Sequence, residues 1–148
     1  MELILWRHAE SPPGYPDGER VLSAAGRHAA TAMARWLVAR LDGRERILVS
    51  PARRAQETAQ ALGRPFVTEP RIGTAATPED VLETIGWPYG DERVIVVGHQ
   101  PTLGAIAAGV LTGQPRDWAM APGALWWVVR DEQARRAELR AYLTPDLV

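Results

Sequence analysis

Three short apolar runs, each closed by a polar residue or a glycine, constrain the fold of this chain more than any other feature. The runs are Leu3 to Trp6, Ile47 to Val49 and Val94 to Val97. None of them alternates apolar with polar residues, which indicates strands that are buried on both faces of a sheet. A helix signal follows each run, and this alternation predicts an α/β fold, three layers deep, with a mostly parallel central sheet.

We expect four helices, each beginning at a residue that commonly opens one. The predicted spans run from Ser23 to Leu41, from Ser50 to about Leu62, from Thr77 to about Gly86, and from Pro101 to about Leu111. Two later apolar runs, Leu125 to Val129 and Leu139 to Leu143, are typical of a hairpin that completes the sheet.

Length and composition indicate one ordinary globular domain. The chain has 148 residues, of which 46% are hydrophobic and 24% charged, so we expect a single domain over residues 1–148. No cysteine is present, which excludes disulfides and thiolate sites. The apolar run before Arg7 is too short for a signal peptide or a membrane span, so we expect a cytoplasmic protein without a membrane partner.

Charge argues against nucleic acid as a partner. The net charge is −1, and no basic run is interleaved with aromatic residues. All 17 basic residues are arginine, whose planar fork suits phosphate oxygens, although coding bias explains the same preference. The sequence gives no indication of oligomeric state.

Polar residues follow the predicted strands at their carboxyl ends. They are Arg7-His8, the segment Ser50 to Arg54, and His99. Parallel strands bring such residues to one edge of the sheet, where ligands bind in α/β folds. Arginines hold phosphate oxygens, helix N-termini add N–H donors, and a neutral histidine nitrogen can attack phosphorus. The pattern predicts a phosphoryl-transfer site that needs neither metal nor cofactor.

The motifs in this order resemble those of the histidine phosphatase superfamily, which includes the phosphoglycerate mutases. Four segments carry most of the resemblance: Arg7-His8-Ala9-Glu10-Ser11, Arg20 to Gly26, Ser50 to Thr58, and Val97-Gly98-His99-Gln100-Pro101. Pro122 to Leu125 is similar to a late segment of the family. The short chain looks most like the bacterial phosphohistidine phosphatase branch. The resemblance implies a phosphoglycerate mutase-like fold.

The resemblance also implies a role for each matching residue. His8 corresponds to the histidine that becomes phosphorylated, with Arg7 and Arg54 on the phosphate oxygens. His99 corresponds to the second family histidine, which stabilises charge during the transfer. Arg20 matches an arginine that reaches the phosphate in the short branch, although a solvated loop charge explains it about as well.

The general acid that protonates the leaving group has no clear counterpart. Many family members use a glutamate after the second helix, and no residue of the segment Arg71 to Asp80 aligns with it. Glu79, Asp80 and Glu10 are the candidates, and helix capping also explains the first two. Without such an acid, the favoured substrates are those whose leaving group needs no strong protonation, and phosphohistidine is such a substrate.

Three readings of function stay open at this point. The first is hydrolysis of a protein phosphohistidine, and the second is hydrolysis of a small phosphomonoester. The third is a weak or inactive module that binds a phosphorylated ligand. A metal hydrolase is disfavoured, because neither histidine belongs to a recognisable metal-binding motif.

Overall fold

The computed structural model describes residues 1–133 and 135–148, and it has the predicted order of elements with one additional short strand. The helices are α1 (Ala24–Val38), α2 (Arg53–Gln60), α3 (Pro78–Ile85) and α4 (Thr102–Thr112). The strands are β1 (Glu2–Arg7), β2 (Arg46–Val49), β3 (Val67–Thr68), β4 (Arg93–Gly98), β5 (Leu125–Asp131) and β6 (Arg136–Leu143).

The six strands form one sheet in the order β3-β2-β4-β1-β5-β6. The pairs β3–β2, β2–β4 and β4–β1 are parallel, whereas β5 is antiparallel to both β1 and β6. Among the described strands, β5 alone therefore runs against the others. The predicted mostly parallel sheet and the closing hairpin are both confirmed.

Helices cover both faces of the sheet, as the unbroken apolar runs predict. Along β1, Ile4 and Trp6 pack with residues of α1 and α2, while Leu3 and Leu5 pack with residues of α3 and α4. Neighbouring positions of a strand point to opposite faces, so both sides must be apolar to be buried. Of the described helices, none is long and apolar enough to span a bilayer.

Two predicted helix boundaries are wrong. The first helix ends at Val38, and Leu41 lies beyond it, although its side chain still packs against the core. The second helix begins at Arg53 with Ala52 as its N-cap. Ser50 does not cap this helix, because its hydroxyl lies in the turn before it and accepts a bond from the Ala52 N–H at 3.2 Å.

The third helix begins and ends as predicted. The Thr77 side chain accepts from the Asp80 N–H, and the Asp80 carboxylate accepts from the Thr77 N–H, which forms a capping box. Gly86 ends the helix with φ of 77°, in the left-handed region that glycine adopts without strain.

Close packing of α1 against the loop after β1 requires glycine at position 26. A Cβ on Gly26 would overlap the backbone carbonyl of Glu10, two residues after His8. Ser23, which caps α1 by accepting from the Gly26 N–H, also donates its own N–H to that carbonyl at 3.0 Å. The start of α1 therefore holds the backbone that follows His8.

We expect Gly26→Ala to lower the free energy of unfolding by about 1–3 kcal/mol, because the new methyl group forces backbone apart. Gly109→Ala in α4 is the matched control, since its Cβ would have no atom nearer than 3.8 Å and alanine favours a helix. Urea unfolding of both variants checks this. Equal effects in the two variants would contradict the proposed close approach.

Candidate active site

Three neighbouring strands place His8, Ser50 and His99 at one edge of the sheet. These residues directly follow β1, β2 and β4, which lie side by side in parallel. The strand register continues past the strand ends, because the His8 N–H donates to Gly98 O and the Ser50 N–H to Val97 O, each at 3.0 Å. The sheet itself thus positions the polar side chains relative to one another.

A cavity of about 280 Å³ opens at this edge. Its lining residues are mostly polar and include three arginines: Arg7, His8, Glu10, Ser11, Arg20, Arg54, Thr74, His99, Gln100 and Pro122. The structure therefore brings together all four residues that the resemblance matches to the catalytic core, with Arg20 and Glu10 beside them. Such a small, arginine-rich cavity suits a phosphoryl group.

The His8 ring is held in one tautomer. Its Nδ1 lies 2.8 Å from the backbone oxygen of Ala9, and a carbonyl oxygen can only accept, so Nδ1 carries the proton. Its Nε2 then has a free lone pair, and it accepts a hydrogen bond from Arg54 Nε at 3.3 Å. The nitrogen that faces the cavity is the one with nucleophilic character.

The imidazole of His8 is neutral at physiological pH. Burial lowers the pKa of His8 to about 4, since only 8% of the residue is exposed. The bond to the Ala9 carbonyl works in the opposite direction, while the positive Arg54 and Arg7 lower the pKa further. Neutrality preserves the lone pair on Nε2.

His99 lies across the cavity, with its ring centre 5.2 Å from that of His8. Its Nε2 is 2.7 Å from the Ser50 hydroxyl, which is completely buried. Burial lowers the pKa of His99 to about 3, and the adjacent His8 and Arg54 contribute to the same effect. Both histidines are therefore neutral at pH 7.

The three arginines of the site are anchored in different ways. Arg7 Nη1 donates to the Met120 carbonyl. Arg54 is buried and donates through Nη1 to the Asp17 carbonyl at 2.8 Å and through Nη2 to the Asp17 carboxylate at 3.2 Å. Arg20 donates through Nη1 to the same carboxylate at 3.0 Å.

Two unpartnered nitrogens lie in the site. Within residues 1–133 and 135–148, four buried side-chain atoms have no hydrogen-bond partner, and Arg7 Nε and His99 Nδ1 are two of them. An unpaired buried polar group costs about 1–3 kcal/mol, and such groups are rare in native proteins. Both nitrogens belong to residues that line the cavity, and neither has accessible surface in this structure.

Two of the candidate general acids are not part of the cavity. Asp80 belongs to the capping box of α3 and lies 3.8 Å from Arg71, and neither Glu79 nor Asp80 lines the site. Their positions are explained by the start of the helix. Glu10 is the one carboxylate among the cavity-lining residues.

Asp17 is the residue of the site that no sequence motif indicates, although it lies three residues before Arg20, a spacing that allows an ion pair. Ser50 is predicted at this edge of the sheet because it directly follows a buried strand, and the structure places it there, 2.7 Å from His99 Nε2. Only the helix-capping role expected for Ser50 is wrong.

The described part of the chain holds no cluster of three or more His, Asp or Glu residues that could bind a metal ion. Trp118 does not line this cavity, and its ring centre lies 5.3 Å from that of Trp126.

Comparison with known sequences gives consistent matches. Residues 3–75 match the model of the Histidine phosphatase superfamily (branch 1). An uncharacterised protein of Mycobacterium tuberculosis is 36% identical over 121 residues, which are 78% of this chain and 75% of that protein. An uncharacterised protein of Picosynechococcus is 31% identical over 124 residues, covering 77% and 75% respectively.

Solved structures match almost the whole chain. The protein histidine phosphatase SixA complexed with tungstate superimposes with a TM-score of 0.85 at 23% identity, covering 99% of both chains. The Agrobacterium tumefaciens protein assigned as phosphohistidine phosphatase SixA gives a TM-score of 0.80 at 26% identity, covering 97% of both chains. The phosphoglycerate mutase-like fold expected from the sequence motifs is thereby confirmed.

The two neutral histidines predict a loss of stability in acid. Their pKa values, about 4 and about 3, lie below the ordinary value of 6.5, so the unfolded chain binds more protons at acid pH. The free energy of unfolding should therefore fall as the pH drops from about 6.5 towards 4. Urea unfolding at a series of pH values measures this change.

Two histidine variants separate this effect from the titration of carboxylates. His8→Asn removes one titrating ring but keeps an N–H donor for the Ala9 carbonyl, so its stability should fall less steeply between pH 6.5 and 4.5. His28→Asn is the control, because His28 is exposed. If the wild type and both variants show the same slope, the buried histidines are not the cause.

Proposed function

Because this chain belongs to the histidine phosphatase superfamily, we propose that it hydrolyses protein phosphohistidine through a covalent phosphoryl intermediate on His8 Nε2. The family match and the SixA structural neighbours together support a phosphatase enzyme. The observation that carries the covalent step is the His8 ring, whose proton is held on Nδ1 while a free lone pair on Nε2 faces three arginines.

In the first step, the Nε2 lone pair attacks phosphorus, and the bond from phosphorus to the substrate breaks. The electron pair of that bond leaves with the substrate group, which also takes up a proton. Arg54 Nε must then exchange its bond to Nε2 for one to a phosphoryl oxygen, since the lone pair has been consumed. Arg7, which also lines the cavity, supplies a further positive charge beside the same group.

His99 and Ser50 act together in this scheme. The Ser50 oxygen accepts from the Ala52 N–H, and this scheme assigns its hydroxyl proton to the bond with His99 Nε2. The neutral His99 ring then carries its proton on Nδ1, the nitrogen without a protein partner. In this scheme the His99 ring turns when substrate binds, because Nδ1 has no accessible surface in the described structure, and its N–H then stabilises the negative charge on the phosphoryl oxygens. Ser50 acts through His99 and is a positioning residue.

In the second step, a water oxygen attacks phosphorus, and the phosphorus–Nε2 bond breaks. Its electron pair returns to Nε2, which regenerates the free histidine, and phosphate leaves. The attacking water must lose a proton, and Glu10 is the carboxylate at the cavity that can take it. The contribution of this chain is mainly positioning and electrostatic stabilisation.

Phosphohistidine suits this site better than an alkyl phosphate. An alkoxide is a poor leaving group and needs a general acid; Glu79 and Asp80 lie outside the cavity, and Glu10, the candidate that lines it, would first have to carry a proton. The imidazole of phosphohistidine can be protonated by solvent on the ring nitrogen away from phosphorus, so it leaves as a neutral group. The bond that breaks and the bond to His8 are both phosphorus–nitrogen bonds, which keeps the transfer close to thermoneutral.

Several expectations from the sequence are retained as predictions. They are the single domain over residues 1–148, the cytoplasmic location, and a phosphohistidine protein as the partner, with neither nucleic acid nor membrane. The partner is supported by the chemistry of the cavity, and the other expectations continue to rest on the sequence alone.

We expect His8→Ala to reduce turnover on the order of 10³-fold or more, because the nucleophile is lost. Phosphate release from p-nitrophenyl phosphate and from a phosphohistidine peptide, with EDTA present, measures this. His28→Ala is the matched control, because that exposed histidine lies on α1, outside the cavity. Wild-type turnover in His8→Ala would contradict the covalent step, and activity lost with EDTA would indicate a metal hydrolase.

The substrate class has a separate test. At equal concentration, the phosphohistidine peptide should be hydrolysed faster than glycerol phosphate, whose alkoxide needs protonation by an acid. Both rates should depend on His8. Faster hydrolysis of the alkyl ester would favour a small-molecule phosphatase, and tight phosphate binding without turnover would favour a binding module.

A further inference from the structure

One acidic side chain holds two arginines of the site at once. Asp17 lies at the start of a short 3₁₀ turn, Asp17–Glu19, in the loop that follows β1. Its carboxylate contacts Arg54 Nη2 at 3.2 Å and Arg20 Nη1 at 3.0 Å, and its backbone oxygen accepts from Arg54 Nη1 at 2.8 Å. The Asp17 side chain is 58% exposed, whereas that of Arg54 is only 6% exposed.

Asp17 and His8 bind different parts of the Arg54 guanidinium. Asp17 binds the terminal nitrogens Nη1 and Nη2, while Nε donates to His8 Nε2. A guanidinium has five N–H groups, and these three contacts leave one on each terminal nitrogen. Nε is also released once His8 is phosphorylated. Arg54 can therefore bind phosphoryl oxygens while Asp17 still holds it.

We propose that Asp17 is a positioning residue that fixes the orientation of the Arg54 guanidinium, so that Nε addresses the phosphoryl group on His8. This inference rests on the proposed function, since it assigns Arg54 to the phosphoryl group. Asp17 touches neither histidine in the described structure, and its effect on the reaction passes through Arg54.

The geometry separates this role from that of an ordinary surface ion pair. A buried arginine without an anionic partner is costly, and Asp17 is the acidic residue that contacts Arg54. Hydrogen bonds from Arg20 and Arg54, in that order of size, lower the pKa of Asp17, so the carboxylate is ionised at neutral pH. The pair thus keeps its charge under working conditions.

The loop has other anchors that do not involve Asp17. Arg20 Nη2 donates to Ser11 O at 2.9 Å, and the Ser11 hydroxyl donates to Val21 O at 2.7 Å. The Leu22 N–H donates to Glu57 at 2.7 Å. Removing the charge of Asp17 therefore leaves the base of the loop in place, and a change in activity can be separated from unfolding.

Removing the charge of Asp17 should affect anion binding and kcat differently, because it changes both the charge of the cavity and the orientation of the Arg54 guanidinium. In Asp17→Asn, the cavity becomes more positive, so a phosphate-like dianion should bind at least as tightly as in the wild type. The Arg54 guanidinium loses its ionic anchor and turns more freely, so kcat should fall about tenfold or more. A change confined to kcat would be the signature of a positioning residue.

The experiment compares four proteins: the wild type, Asp17→Asn, Asp17→Glu and the control Glu19→Gln. Glu19 is an exposed carboxylate in the same turn, and no contact of its side chain is found in the described structure. For each protein, kcat and KM are measured with p-nitrophenyl phosphate, and the Kd of tungstate is measured by calorimetry. We expect the loss of kcat in Asp17→Asn alone, with most of the rate recovered in Asp17→Glu.

A spectroscopic measurement keeps the inference testable without turnover. The Nε–H signal of Arg54 in ¹⁵N–¹H spectra should exchange with water faster in Asp17→Asn than in the wild type or in Glu19→Gln. An inactive wild type that shows this change would contradict the proposed function but not the positioning role. Unchanged exchange and unchanged kcat in Asp17→Asn, or an equal loss in Glu19→Gln, would overturn the role of Asp17.

Discussion

The chemistry of the site depends on the hydrogen bond from His8 Nδ1 to the backbone oxygen of Ala9. A carbonyl oxygen has no proton to give, so this contact determines which ring nitrogen is protonated and which has the lone pair. The Ala9 backbone is itself held, because its N–H donates to the buried Thr58 hydroxyl at 3.0 Å. Helix α2, which carries Thr58, thus sets the tautomer of a residue after β1.

Burial and positive charge act in the same direction on the two histidines. Both rings are largely removed from water, and arginines surround them, so protonation is unfavourable at each. The arginines are tolerated because Asp17 pairs with Arg54 and Arg20, while Arg7 binds a backbone carbonyl. A site that is rich in cations thereby retains an uncharged imidazole at His8.

Much of the fold was predictable because buried strands and helix starts leave local marks in the sequence. The apolar runs gave β1, β2 and β4, and Thr77 with Gly86 gave both ends of α3. Strand β3 was missed, since Val67–Thr68 is only two residues long and exposed, with no apolar run to mark it.

The site was predictable only in part. The resemblance and the strand ends indicated Arg7, His8, Arg54 and His99, because each lies at the end of a strand or in the first turn of a helix. Nothing local indicated that the Asp17 loop folds back onto Arg54, which is 37 residues away in the chain. The role of Ser50 depends on His99, 49 residues away. Contacts of this kind are set by tertiary packing, which short-range patterns do not encode.

The central position of β1 also determines the order in which this enzyme can assemble. His8 is synthesised well before two of its backbone partners, because its N–H donates to Gly98 O and its carbonyl accepts from the Gly123 N–H, each at 3.0 Å. The indole N–H of Trp6 likewise needs the Gly123 carbonyl. During translation, the proposed nucleophile therefore reaches its folded position only after residues up to Gly123 have left the ribosome, and a nascent fragment that ends before β4 contains the Arg7-His8 motif but no site.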